Sequence, residues 1–401
     1  MNVLVVHNRY RERGGEDRVV ALESALLERY GHTVVPYIVD NRDIDSIPTA
    51  MLPLPTIWNS KTVDAVKLLI GLERIDVVHV HNTLPLVSPS VYYAARSEAV
   101  PVVQTLHNYR LFCPSAQCVR NERPCTSCLG ADVPWPAIRH ACYRASRLAT
   151  TAVAAMLVAH RVIGTWQSAV DSYIAPTEFA RRLFIAGGVP AGRIVVKPHF
   201  VEPDPGVGAH RGDDVLYVGR LSKEKGVQTL LDAWTHRPGL PPLRIVGDGP
   251  LAPVVADAAA QMNNITWLGA QAPDVVHRLM QDARCLVFPS ITFETFGQVI
   301  AEAFATGTPV ITADGGAGRE LVEHGRTGLL FRTADPVSLA SQVATLTADV
   351  RACESMGAAA RRQFEQRLTA DANYRVLVGI YSAAIARAGA WFQIGGRRTA
   401  A

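Results

Sequence analysis

The sequence predicts a parallel α/β protein built from two doubly wound domains. Three observations carry this expectation. Short apolar runs alternate with helical patterns from end to end, as in sheets whose strands are joined by crossover helices. At 401 residues the chain is longer than one hydrophobic core fills. Midway, residues 197–213 (KPHFVEPDPGVGAHRGD) are rich in Pro and Gly and lack apolar periodicity, as an interdomain linker does.

Residues 1–196 read as the first domain. Its strands are expected at Val3–His7, Val34–Val39, Val77–Asn82, Pro101–Leu106 and Tyr173–Ala175, with helical patterns such as 17–30 and 87–98 between them. Residues 214–370 read as the second, with strands at Val215–Gly219, Leu243–Gly247, Ile265–Leu268, Cys285–Phe288, Pro309–Thr312 and Gly328–Phe331. In the last segment, 371–401, Asn373, Tyr374, Leu377, Tyr381 and Ile385 line one side of a helix expected to pack back on the first domain. The Gly/Arg tail after Trp391 is expected to be loose. Two such domains joined by a linker would turn the carboxyl ends of both sheets toward a shared cleft.

Composition narrows the function. The chain is 48% hydrophobic and 19% charged, as ordinary globular proteins are. A net charge of +4 gives no argument for a nucleic-acid partner. The start, MNVLVVHNRY, reads as a strand rather than a secretory signal. The weakly apolar stretch 148–158 is too short to span a bilayer. The expected location is the cytoplasm, with peripheral contact at the inner face of the plasma membrane. Arg139, Arg144, Arg147 and Arg161, set among apolar residues, suit an anionic lipid surface; a solvated helix face suits them as well.

The most informative stretch is 288–311, FPSITFETFGQVIAEAFATGTPVI, read as strand end, loop, helix and next strand. Glu294 lies in the loop, Phe296 and Gly297 at the helix entrance, and Glu302 inside the helix. Free N–H groups at a helix start, with the positive end of its dipole, suit phosphate oxygens. Two carboxylates eight positions apart then suit a ribose at one end of a diphosphate and a sugar at the other. Solvated surface charges are the plainer reading of the same two glutamates.

Other loops fall at strand ends. Gly14, Gly15 and Glu16 follow the first strand and permit close backbone approach to a ligand, although the G-x-G-x-x-G spacing of dinucleotide sites is absent. His107 ends the fourth strand, where an imidazole reaches toward a ligand; a satisfied structural histidine competes with that reading. His79 and His81 alternate on the preceding strand and read as structural. Arg220 and Lys225 lie between a strand end and a helix, a fork and a point charge fit to clamp a diphosphate. Gly247, Asp248 and Gly249 close the next strand with a tight turn that admits a base, and Gly315, Gly316 and Gly318 add a further backbone-lined edge. Cys113, Cys125, Cys128 and Cys142, with Cys118 or His140 as alternates, suit a structural zinc; only one C-x2-C is present, and reduced thiols in a long loop fit as well. No Asp-x-Asp lies at a convincing strand end, so no catalytic metal is expected.

Taken together, Glu294-x7-Glu302, Gly14-Gly15-Glu16, Arg220…Lys225-Gly226 and Gly247-Asp248-Gly249 resemble the retaining glycosyltransferases of family 4, over roughly residues 1–385. LHNYRLFCP and the cysteine-bearing loop resemble a bacterial branch concerned with surface polysaccharide or glycolipid. The resemblance implies the GT-B fold and transfer of a sugar from a UDP- or GDP-linked donor to a saccharide or lipid-linked acceptor. It further implies that Arg220 and Lys225 neutralise the diphosphate and that Glu302 holds the ribose. Glu294 would meet the donor sugar, with Phe296, Gly297 and Gly247 lining the donor site. Gly15 would sit against the donor phosphate or sugar from the first domain, and His107 near the sugar. The chain departs from the family in His199-Phe200-Val201-Glu202, where many members carry Asn-Gly-Val-Asp, and in its cysteine loop. A nucleotide-sugar 2-epimerase and a non-catalytic scaffold are the rival readings.

Overall fold

The computed structural model describes residues 1–11, 14–47 and 51–396. The chain divides into two units. Unit 1 comprises Met1–Gln117, Ser127–Lys197 and the C-terminal residues from Asn373, and unit 2 comprises Cys118–Thr126 and Pro198–Ala372.

The strands in chain order are β1 (Asn2–Arg9), β2 (Thr33–Asp40), β3 (Val77–Asn82), β4 (Val102–Thr105), the short β5 (Val119–Arg120) and β6 (Arg123–Pro124), β7 (Ser172–Ala175) and β8 (Ile194–Val196). They continue with β9 (Val215–Val218), β10 (Leu243–Val246), β11 (Ile265–Trp267), β12 (Cys285–Phe288), β13 (Val310–Ala313) and β14 (Gly328–Phe331). Unit 1 holds a six-stranded sheet of order β2-β1-β3-β4-β7-β8, and unit 2 one of order β11-β10-β9-β12-β13-β14. Every pairing within these two sheets is parallel. In each, the chain winds outward to one side, returns, and winds to the other, so the order reverses beside the first strand. That reversal lies between β1 and β3 in unit 1 and between β9 and β12 in unit 2.

Both faces of the unit 2 sheet are covered, because successive strand side chains point to opposite faces. Val215, Tyr217, Ile245, Val287 and Ile311 join one core cluster with Trp234, Leu339 and Val343. Leu216, Val246, Leu286 and Val310 join another with Ile300, Phe304 and Phe364. In unit 1, Val3, Val5, Val77 and Val103 pack with Leu377, Ile380, Tyr381 and Ala384 of the C-terminal helix Ala370–Gly396. The expected return of that helix to the first sheet is therefore what the structure has. The last tail residues, 397–401, lie outside the described residues.

Two elements differ from the sequence reading. β8 is three residues long and runs straight into the Pro-rich segment, too short for an alternation to show. The hairpin β5–β6 sits inside the cysteine loop, with Cys118 O accepting from Cys125 N at 2.7 Å. The segment after Lys197 is laid along unit 2 rather than hanging free. Val201 N donates to Leu368 O, Gly208 N to Thr306 O and His210 N to Gln281 O, and Phe200 and Val201 are buried. No described helix is long and apolar enough to cross a membrane.

Candidate active site

In unit 2 the loops leaving β9 and β12 are stitched together at the reversal of strand order, where open α/β sheets bind ligands. After β9 the chain passes Gly219 and Arg220, whose carbonyl accepts from Tyr217 OH at 2.9 Å. A turn at Lys223–Lys225 then leads through Gly226 into the helix Val227–His236. Gly226 has φ +72°, and a Cβ there would stand 2.0 Å from Pro289 O, so only glycine lets this loop lie against the end of β12. Glu224 O accepts from Ile291 N at 3.0 Å and from Ser290 Oγ at 3.2 Å.

That seam brings Lys225 and Glu294 together. Lys225 Nζ is 2.5 Å from Glu294 Oε1, and Ser290 Oγ donates to the same oxygen at 2.8 Å. Ser290 carried no signal in the sequence beyond its place after a buried strand. Glu294 is held from the other side by the glycine turn after β13. Ala317 N donates to Glu294 O at 3.4 Å, and a Cβ on Gly316 would meet Glu294 N at 3.4 Å.

Gly247 closes β10 at φ +141°, with room for a Cβ denied by Gly219 O at 1.9 Å. Leu221 N donates to Asp248 O at 2.8 Å, and Trp267 Nε1 to Gly247 O at 3.0 Å. The Gly219–Gly226 and Gly247–Leu251 turns are thereby a single framework.

The helix Gln298–Ala305 starts from Gly297, which takes φ +99°. Phe296 is buried just before it, and Glu302 is buried in the helix's second turn at 3% exposure. A carboxylate buried to this degree is not the solvated surface charge of the plainer reading. His199 packs edge-on against Phe296, ring centroids 5.0 Å apart, and Gln298 Nε2 donates to Phe200 O at 2.9 Å. The His199-Phe200 departure from the family pattern is thus seated at this helix entrance.

In unit 1, Gly15 opens the helix Gly15–Arg29, and Gly14 N donates to Asp17 Oδ2 at 2.9 Å. Asp17 Oδ1 in turn is 2.9 Å from His7 Nε2. His107 lies two residues past β4, with its Nε2 2.9 Å from His81 Nδ1. His79 and His81 are both buried in β3, as structural histidines are. Glu16 and His7 are further site candidates. Glu16 Oε1 and His7 Nδ1 face each other at 3.8 Å, each buried without a hydrogen bond of its own. Burial, reinforced by the Asp17 carboxylate, pushes the Glu16 carboxyl up to about 8. The clue in the sequence was a glutamate directly after the paired glycines at a helix start.

Comparison with known proteins finds glycosyltransferases along both units. Residues 8–199 match the family model described as glycosyl transferase 4-like domain, and residues 212–349 match that described as glycosyl transferases group 1. The glycogen synthase of Mycobacterium tuberculosis is 34% identical over 172 residues, 41% of this chain and 40% of that protein. The phosphatidyl-myo-inositol mannosyltransferase of Mycobacterium leprae is 31% identical over 248 residues, 57% of this chain and 64% of that protein. The chain thus spans less than two thirds of the length of these relatives. Among solved structures, Anabaena HepE in complex with UDP-glucose superposes with a TM-score of 0.67 at 18% identity, covering 96% of this chain and 100% of that one. That likeness establishes the fold, two parallel six-stranded sheets of the GT-B type.

Proposed function

The chain belongs to the family 4 glycosyltransferases of GT-B fold, and from that premise we propose that it moves a sugar from a nucleotide-sugar donor to an acceptor hydroxyl with retention of configuration. The observation that carries this is the contact of Lys225 with Glu294 at the strand-order reversal of unit 2. A flexible ammonium, the Arg220 guanidinium in the same loop and a helix entrance are the groups a departing diphosphate needs.

The glycosidic C–O bond to the diphosphate breaks through an oxocarbenium-like state, and negative charge builds on the phosphate oxygens. Lys225 and Arg220 oppose that charge, and the N–H groups after Gly297 add to them without reorganising. Glu302, deeper in the same helix, takes the ribose hydroxyls. Glu294, steadied by Ser290 and Lys225, accepts from hydroxyls of the donor sugar. Phe296 and Gly247 shape the walls. Gly15 is proposed to meet the donor phosphate or sugar, and His107 the sugar. The donor is proposed to carry UDP or GDP; HepE, of the same fold, binds UDP-glucose.

The proposed acceptor is a saccharide or lipid-linked saccharide of bacterial surface assembly. Unit 1 carries a surface fit to meet a lipid headgroup layer: Trp135 and Leu148 are exposed, with Arg139, Arg144 and Arg147 exposed nearby in sequence. The test is to follow release of UDP or GDP from a panel of sugar donors in the presence of such acceptors, reading the product anomer by NMR. Retained configuration and loss of release in Lys225→Ala support the proposal. Inversion overturns the stereochemistry, and undiminished release in Lys225→Ala overturns the clamp.

A further inference from the structure

At the carboxyl ends of β1 and β4, unit 1 holds a polar cluster that the proposed transfer does not use. Tyr10 follows β1, Glu16 lies in the first turn of the helix Gly15–Arg29, and Asn108 and Arg110 follow β4. Asn108 Nδ2 donates to Tyr10 OH at 3.3 Å and to Glu16 Oε2 at 3.4 Å, and Asn108 Oδ1 accepts from Arg110 N at 3.1 Å. The Arg110 guanidinium donates to Pro114 O and bonds the Tyr10 hydroxyl. It also stands 5.1 Å from the centroid of the Tyr143 ring, and the exposed Arg144 guanidinium stands 5.4 Å from the same centroid. Tyr143 is itself fixed, its N donating to Thr150 Oγ1 at 3.0 Å and its carbonyl accepting from Ser146 N at 3.1 Å.

Two guanidiniums that share one ring repel each other, and among the described residues no carboxylate forms an ion pair with either. Glu16, the nearby acid, does not offset them. Burial, reinforced by Asp17, raises its carboxyl to about 8, so it keeps its proton at neutral pH in spite of Arg110. A guanidinium offers five N–H donors in a planar fork; Arg110 spends some on Pro114 and Tyr10, and the remainder suit phosphate oxygens.

We infer that Arg110, Tyr143 and Arg144 form a cradle for a phosphate carried by the acceptor, which is then a phosphate or diphosphate ester. The donor's own diphosphate is met by Arg220 and Lys225 of unit 2 in the proposed reaction, so a second pair of cations answers a different phosphate. Arg110 lies three residues beyond His107, the residue proposed to meet the sugar, which sets the phosphate beside the place of transfer. On the two sides of Tyr143 in the chain, Trp135 and Leu148 are 66% and 74% exposed and Arg139 and Arg147 are exposed, apolar and basic groups that suit the lipid part of such an ester. The inference rests on the reading of the chain as a glycosyltransferase whose acceptor is bound by unit 1.

The test is titration calorimetry on the whole chain with excess UDP and GDP present to fill the donor site. The probes are farnesyl diphosphate, farnesol and glucose 1-phosphate. At least one phosphate probe should bind wild type, and farnesyl diphosphate should bind more tightly than farnesol. Arg144→Gln changes an exposed side chain and leaves folding unthreatened; it should weaken the phosphate probe about tenfold or more, the scale for a hydrogen bond to a charged group. Arg144→Lys keeps the charge without the fork and should weaken it less. Arg110→Gln, the second variant, should weaken it as well. Tighter binding of farnesyl diphosphate assigns the phosphate to a lipid acceptor, and tighter binding of glucose 1-phosphate to a soluble sugar phosphate; either supports the cradle. It is overturned if no phosphate probe binds, if farnesol matches farnesyl diphosphate and glucose 1-phosphate does not bind, or if both glutamine variants keep wild-type affinity. A loss of nucleotide affinity alone in those variants also overturns it, since the cations would then serve the donor. Failure of UDP and GDP to bind wild type would strike the donor site instead, and the comparison of probes would still read the cradle.

Discussion

Lys225 Nζ stands 2.5 Å from Glu294 Oε1, joining the loop after β9 to the loop after β12. The side chains are partly exposed, 30% and 19%, so the pair adds little to stability. Its significance is electrostatic and local. Lys225→Ala is expected to lower the rate of transfer about 100-fold, the scale for losing one preorganised donor. Thermal unfolding should shift by no more than about 1 kcal/mol of stability. Steady-state kinetics and a melting curve on one preparation check both.

Gly226→Ala tests the seam itself. The new Cβ would meet Pro289 O at 2.0 Å in a left-handed backbone, so either the loop or the end of β12 must move. A loss of about 1–3 kcal/mol is expected in denaturant unfolding, together with weaker donor binding. Gly14→Ala is the control: its φ is −126° and a Cβ there meets nothing within 4 Å. Its stability should stay within about 0.5 kcal/mol of wild type.

Glu16 sets a pH dependence. Its carboxyl is raised from 4.5 to about 8 in the folded chain, mainly by burial. The folded state therefore binds more protons than the unfolded state between those values, and this group's contribution is lost as pH rises from 4.5 through 8. Glu16→Gln removes that loss. The melting temperature of the variant minus that of wild type should rise with pH across the window; a difference independent of pH would contradict the assignment.

Tyr381→Phe tests how the C-terminal helix is fastened to unit 1. Tyr381 OH is 2.7 Å from His79 Nδ1, and both side chains are fully buried. Losing the hydroxyl leaves a buried imidazole nitrogen without that partner, a cost of about 1–3 kcal/mol. Faster hydrogen exchange in the helix from Asn373 onward would register it.

Much of the fold was legible because doubly wound sheets write themselves as apolar runs between helices. β3, β12 and β14 have the bounds expected from the sequence. β8 was not legible, since three residues before a Pro-rich stretch carry no period. In the site, the tight turn at Gly247 was legible, whereas Gly226 stood only as part of the family pattern; the structure gives the reason for each glycine in a carbonyl that a Cβ would strike. Ser290 and Lys197 were silent. A serine after a strand and a lysine at the head of a linker look like surface residues until the fold sets each beside a glutamate. Such partners are separated by up to 174 positions, as Lys197 and Glu23 are, and no local pattern encodes them.

The central claim is that unit 2 grips a nucleoside diphosphate through Lys225 and the helix bearing Glu302. Titration calorimetry with UDP and GDP on wild type, Lys225→Ala and Glu302→Gln tests it most directly. One of the two nucleotides should bind wild type at micromolar concentration, with affinity at least about tenfold weaker in each variant, a change of about 1.4 kcal/mol. Equal affinity in all three chains, or no binding of either nucleotide to wild type, would contradict the account.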